Sequence, residues 1–155
     1  MTMKFRPLCA ARRWSLSNPV VRRVKVLASV LDGMLEHARQ ESPAECCGLL
    51  AGSQETITQM FRARNALASR REYFIAPQEL IATLRTMRER GLEHFGIYHS
   101  HPHSENVPSD RDIELAYYPS CAYFIISPDN PSERAIRAFN IRADYATELE
   151  VERVL

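Results

Sequence analysis

Apolar side chains recur along this chain in two rhythms, and the points where the rhythm changes mark its elements. Leu27, Val30, Leu31, Met34, Leu35 and Ala38 fall at spacings of three and four, so residues 27–40 read as an amphipathic helix with one apolar stripe. Pro43 closes that region. A second stripe, Leu80, Ile81, Leu84 and Met87, follows Pro77, which suits the first turn of a helix because its missing N–H would have no partner there. That helix is expected to run to Gly91, and a short third one from about Ser109 to Ala116. Around them lie short runs of β-branched and aromatic residues at 20–26, 46–51, 56–64, 72–75, 95–100, 122–127, 135–139 and 148–154, each bounded by turn-forming residues and read as a strand. Strands before, between and after three helices indicate an α/β domain with a curved, mixed sheet.

No repeat or linker interrupts residues 20–155, which are expected to form a single domain. Residues 1–19, mixed basic and apolar without periodicity and closed by Asn18-Pro19, are expected to be a flexible N-terminal extension. At 155 residues a chain hides about 70% of its unfolded surface on folding, enough for a core without staples. The formal net charge of +1 supplies no field to gather nucleic acid or an anionic membrane, so neither is expected as a partner. No apolar run approaches the ~20 residues that span a bilayer, and Arg6, Arg12 and Arg13 interrupt the N-terminus as a secretory leader would not. A cytoplasmic protein is expected, with Cys9, Cys46, Cys47 and Cys121 kept as thiols. His37, His94 and His103 read as a helix-face, a surface and a loop residue. Composition says nothing of oligomeric state.

The chemistry concentrates in His99-Ser100-His101-Pro102, with Ser109 and Asp112 downstream. In an extended segment side chains alternate, so His99 and His101 present both imidazoles on one face, at a spacing one small cation can bridge. Asp112 lies one helical turn beyond Ser109, placing a carboxylate where a first turn can carry it over the imidazoles. Ser109 and Asp112 are also the pattern of a helix N-cap with its third-position partner, which needs no chemistry and is compatible with it. Two His and one Asp leave a tetrahedral zinc with an open position, as catalysis requires. Glu45, in Ser42-Pro43-Ala44-Glu45-Cys46-Cys47-Gly48-Leu49-Leu50-Ala51-Gly52, is the upstream candidate for a general base.

Glu45 before a short apolar strand, then His-Ser-His-Pro, six residues, Ser, two residues and Asp, resembles the JAMM (MPN+) metalloproteases. Tyr73-Phe74-Ile75-Ala76-Pro77, Gly96-Ile97-Tyr98 and Tyr123-Phe124-Ile125-Ile126-Ser127 are similar in context, and the resemblance runs from about residue 20 to the C-terminus. It implies a single MPN (cytidine-deaminase-like) domain, with a curved mixed sheet, three flanking helices and the metal at the end of central strands. It further implies one zinc ion held by His99, His101 and Asp112, Glu45 as the base and Ser109 as a donor to the oxyanion. The implied substrate is a ubiquitin-like protein. The short segments between Pro43 and Asp112 favour a compact sulfur carrier of the ThiS or MoaD type, cut after its C-terminal Gly-Gly. Its tail is expected to enter a groove beside residues 103–108 by pairing with a sheet edge.

Other classes fit less well. His99, His101 and Glu105 match a cupin ligand spacing, but Glu93 and Asp112 stand where that pattern wants glycine. An amidohydrolase barrel needs ~200 residues or more. A thiol protease on Cys46 or Cys47 lacks an orienting third group. A non-catalytic MPN scaffold and a ubiquitin-directed isopeptidase remain the alternatives, the first disfavoured by the presence of all five motif residues.

Overall fold

The ladder of strands closes on itself in the computed structural model, which describes residues 22–155. In chain order the elements are β1 (Arg23–Leu27), α1 (Ala28–Glu41), β2 (Cys47–Ser53), β3 (Thr56–Ala63), α2 (Pro77–Glu89), β4 (Glu93–Ser100), α3 (Asp110–Glu114), β5 (Ala122–Ile126), β6 (Ile136–Arg142) and β7 (Tyr145–Val154), with a 3-10 turn at Glu133–Ala135. Neighbours around the ladder run β1-β3-β2-β4-β5-β6-β7 and back to β1. β4 and β5 are parallel, as are β1 with β3 and β1 with β7; the remaining pairs are antiparallel, so the expected curved mixed sheet curls far enough to close.

Helices cover both sides of the central strands, which is why those strands read as near-continuous apolar runs: every residue of β5 is buried, and so is β2 up to Gly52. On one side Val30, Met34 and Ala38 of α1 pack against Leu50, Tyr98 and Phe124. On the other, Leu80, Leu84 and Met87 of α2 pack with Leu49, Ile97, Tyr123 and Ile125. Removing the fully buried Met34 side chain would cost about 2–5 kcal/mol. Gly48 is required by the close approach of Tyr98, whose ring occupies the place of a β-carbon. Gly91, at φ +68°, turns the chain out of α2. Alternation along β4 sends Tyr98 toward α1 and Ile97 toward α2, so His99 emerges on the α2 side.

Several expectations need correction. Residues 72–75 form no strand: their main chain bonds Asn65, whose side-chain amide donates to Glu72 O (2.9 Å) and accepts from Phe74 N (3.2 Å), replacing a neighbouring strand. β6 and β7 are longer than their apolar patterns because Arg142 pairs with Tyr145 across a two-residue turn, with polar side chains on the outer face. α3 is shorter, with Ser109 outside it as the N-cap. β4 has β2 on one side and β5 on the other, so it offers no free edge for an incoming tail. His94 is buried rather than at the surface, and His37 is buried with Nδ1 2.8 Å from the Tyr98 hydroxyl. Cys46, Cys47 and Cys121 are free, buried thiols. Residues 1–19, Cys9 and the start of the first expected strand lie outside the described residues. No helix among the described residues is long and apolar enough to cross a membrane.

Candidate metal centre

The site grows out of the C-terminal end of β4, and main-chain bonds hold that end on both sides. Ser100 N donates to Cys46 O (3.1 Å) and His101 N to Ile126 O (2.8 Å), so the ladder reaches one residue past the strand. The Ser100 side chain turns to the α1 side and accepts from Cys46 N (2.8 Å). The following loop is anchored by buried Asn106, which donates to Arg134 O (2.7 Å). It delivers Ser109 as N-cap of α3: Ser109 Oγ accepts from Asp112 N (3.1 Å) while Asp112 Oδ2 accepts from Ser109 N (2.8 Å). The cap and the carboxylate's placement are one feature.

His99, His101 and Asp112 converge. The two imidazole Nε2 atoms are 3.0 Å apart, His99 Nε2 lies 3.2 Å from Asp112 Oδ1, and His101 Nε2 lies 3.1 Å from Asp112 Oδ2. The exposed rim is narrow, for His99 is 1% and His101 6% exposed. Burial opposes ionisation of Asp112, yet hydrogen bonds from His101 and His99, with the Ser109 amide, outweigh it and hold the carboxyl well below the usual range. Burial pushes His99 down; for His101 the same penalty is overcome by Asp112 and the Glu105 carbonyl, and its pKa rises.

Such a donor set suits zinc. His101 Nδ1 donates to Glu105 O (2.7 Å), which directs Nε2 at the centre. With His101 Nδ1–H committed to Glu105 O, the two Nε2 atoms and the carboxylate at 3.0–3.2 Å hold more acceptors than hydrogens, and a proton or a metal ion among them would satisfy the excess. Ligand atoms about 2.0–2.1 Å from one tetrahedral zinc stand about 3.4 Å apart, so only a few tenths of an ångström separate the cluster from that geometry.

Glu45 lies two residues before β2 rather than on it, and is 4% exposed. Its amide donates to Ser69 O (2.8 Å), and its carbonyl accepts from Asn65 Nδ2 (3.1 Å). Burial raises the carboxyl to about 7; His101 pulls it down, and Asp112 and Glu72 push it up. His103, exposed as expected, donates from Nε2 to Pro43 O (3.2 Å), tying the metal loop to the segment carrying Glu45. All five sequence candidates thus lie at one end of the barrel: three in contact, Ser109 through its cap, and Glu45 close enough to feel His101 and Asp112.

Sequence reading missed Asn65, Asn106 and the Glu105 carbonyl, and treated Tyr73 only as context. Tyr73 stacks on His99, centroids 4.5 Å apart and planes at 23°. Asn65 and Tyr73 stand near turn and proline signals, but no spacing rule connects them to the histidines. From Asp112 a groove of about 290 Å³ runs between Tyr73, Phe74 and Leu80 on one wall and Leu115 and Tyr117 on the other.

Known proteins resemble this chain in sequence and in fold. Residues 27–142 match the family described as prokaryotic homologs of the JAB domain. The desampylase of Haloferax volcanii is 39% identical over 114 residues, covering 69% of this chain and 82% of that protein. The CysO-cysteine peptidase of Mycobacterium tuberculosis is 30% identical over 131 residues, covering 83% and 90%. A solution structure of a protein from Desulfitobacterium hafniense superposes with a TM-score of 0.75 at 31% identity, over 84% of this chain and 92% of that one. On the matched span, the fold and the clustered His-His-Asp motif, this chain belongs to the JAMM/MPN family, in its prokaryotic JAB branch.

Proposed function

We propose that this protein is a zinc-dependent peptidase that hydrolyses the amide bond after the C-terminal Gly-Gly of a small ubiquitin-like protein of the sulfur-carrier type. The observation that carries the reading is the convergence of His99, His101 and Asp112 beside a buried carboxyl, Glu45, poised near neutrality. Relatives named desampylase and CysO-cysteine peptidase support hydrolysis of such a bond.

His99, His101 and Asp112 would hold the zinc, which supplies Lewis acidity and a water acidic enough to ionise near pH 7. Glu45 takes a proton from the attacking water and returns it to the leaving amine. A carboxyl raised to about 7 by burial suits both transfers, and a cation at the triad would draw it lower, toward the base form. Ser109 Oγ spends a lone pair on the helix cap, and its O–H is left to donate to the developing oxyanion. The groove beside Asp112 accepts an extended tail along residues 72–75, in place of the sheet-edge pairing that the closed ladder denies at β4. Next to the reacting carbonyl, a tail of glycines fits most closely.

The test offers carrier fusions ending Gly-Gly-X and Gly-Ala-X, with a linear ubiquitin dimer, and follows cleavage by mass. Cleavage after Gly-Gly in the carrier is expected. Equal processing of Gly-Ala-X, or preference for the ubiquitin dimer, would overturn the substrate assignment while leaving the hydrolase intact.

A further inference from the structure

The two histidines of the triad are supported differently. His101 follows the common arrangement in which a ligand's second nitrogen donates to a carbonyl, here Glu105 O at 2.7 Å, so that ring orientation and tautomer are set together. His99 has no such support: its Nδ1 is buried and is the one buried side-chain nitrogen or oxygen without a hydrogen-bond partner among the described residues. What touches the His99 ring instead is the face of Tyr73, 4.5 Å away and 23° from parallel.

We propose that Tyr73 is the positioning residue for His99, supplying by ring stacking the orientation that the Glu105 carbonyl gives His101, and that Asn65 holds Tyr73 in place. This rests on the reading of His99 as a zinc ligand. A stacked ring restrains rotation of the imidazole about its Cβ–Cγ bond, the motion that would swing Nε2 away from His101 and Asp112. Burial holds the Tyr73 phenol well above its usual range, so the stacking partner is a neutral ring.

The segment bearing Tyr73 has no ladder of its own, and Asn65 substitutes for one on both sides of the residue. Asn65 Nδ2 donates to Glu72 O (2.9 Å), and Asn65 Oδ1 accepts from Phe74 N (3.2 Å). The same Nδ2 donates to Glu45 O (3.1 Å). One amide therefore joins the main chain of the candidate base to the ring that steadies the candidate ligand. Glu72 adds an exposed ion pair to Arg111, the neighbour of Asp112, at 3.1 Å.

The experiment is a chelator-competition measurement of zinc affinity on the full chain, with unfolding of the metal-free protein followed in parallel. Tyr73→Phe keeps the ring and should bind zinc within about threefold of wild type. Tyr73→Leu should bind about 10–100-fold more weakly, the range found when outer partners of metal ligands are removed, and should shift the absorption bands of the cobalt-substituted protein. Asn65→Ala, which keeps the ring but frees its segment, should weaken zinc by at least threefold. Wild-type affinity in Tyr73→Leu, or equal weakening by Phe and Leu, would overturn the proposal. If Tyr73→Leu fails to fold, Asn65→Ala decides, and unchanged affinity there counts against it. A wild-type protein that binds no zinc would contradict the metal reading itself, a distinct outcome.

Discussion

β4 places a buried histidine near each of its ends, and the two ends differ in what meets the ring. At the start of the strand, His94 donates from Nε2 to Gly96 O (3.0 Å), sets Nδ1 3.7 Å from Cys121 Sγ, and meets Tyr118 edge to face. A carbonyl, a thiol and a phenol ring are among its partners. At the other end, His99 and His101 turn their Nε2 atoms toward each other and toward a carboxylate that the two imidazoles, helped by the Ser109 amide, hold ionised. Burial alone therefore does not mark a functional histidine. Acceptors that outnumber the N–H groups turned toward them do, because a cation or an added proton satisfies the remainder.

This contrast can be broken most severely by removing ligands. His101→Ala or Asp112→Ala should lose zinc and turnover together while the fold survives, whereas His94→Ala should keep both and lose about 1–3 kcal/mol of stability from the buried packing and hydrogen bond it gives up. Metal analysis and thermal unfolding of the three proteins separate the cases. Glu45→Gln should retain zinc and lose about 10²–10⁴ in kcat, read in a single-turnover cleavage assay. Near-normal turnover would require another base. Ser109→Ala should retain zinc and lose about 10² in kcat, together with about 1 kcal/mol of stability from the lost cap, measured by denaturant unfolding.

A pH series sharpens the comparison further. With a folded pKa of about 7 against 4.5 unfolded, metal-free Glu45 binds its proton more tightly in the folded state. Stability is therefore lost as pH rises from about 4.5 through 7, by at most about 3 kcal/mol. Glu45→Gln should equal wild type near pH 4 and exceed it at pH 8, in unfolding free energies measured without metal.

The parts of this molecule legible in sequence are those governed by one local period. Three-and-four spacing gave α1 and α2, two-residue spacing put His99 and His101 on one face, and Ser109 with Asp112 announced the cap that positions a ligand. What escaped depends on contacts remote in the chain. Asn65 standing in for a strand beside residues 72–75, closure of the ladder between β1 and β7, and the shelter given to His94 by Cys121 and Tyr118 leave no periodic trace. Glu45 lay between: its place in the motif was visible, but its burial was not.

The most direct test of the claim that chemistry is confined to one end of β4 is the zinc X-ray absorption spectrum of the wild-type protein. The account predicts a first shell of light atoms at about 2.0–2.1 Å, with the outer scattering of about two imidazoles and no sulfur. Sulfur scattering near 2.3 Å would place the metal on cysteine instead, and would contradict it.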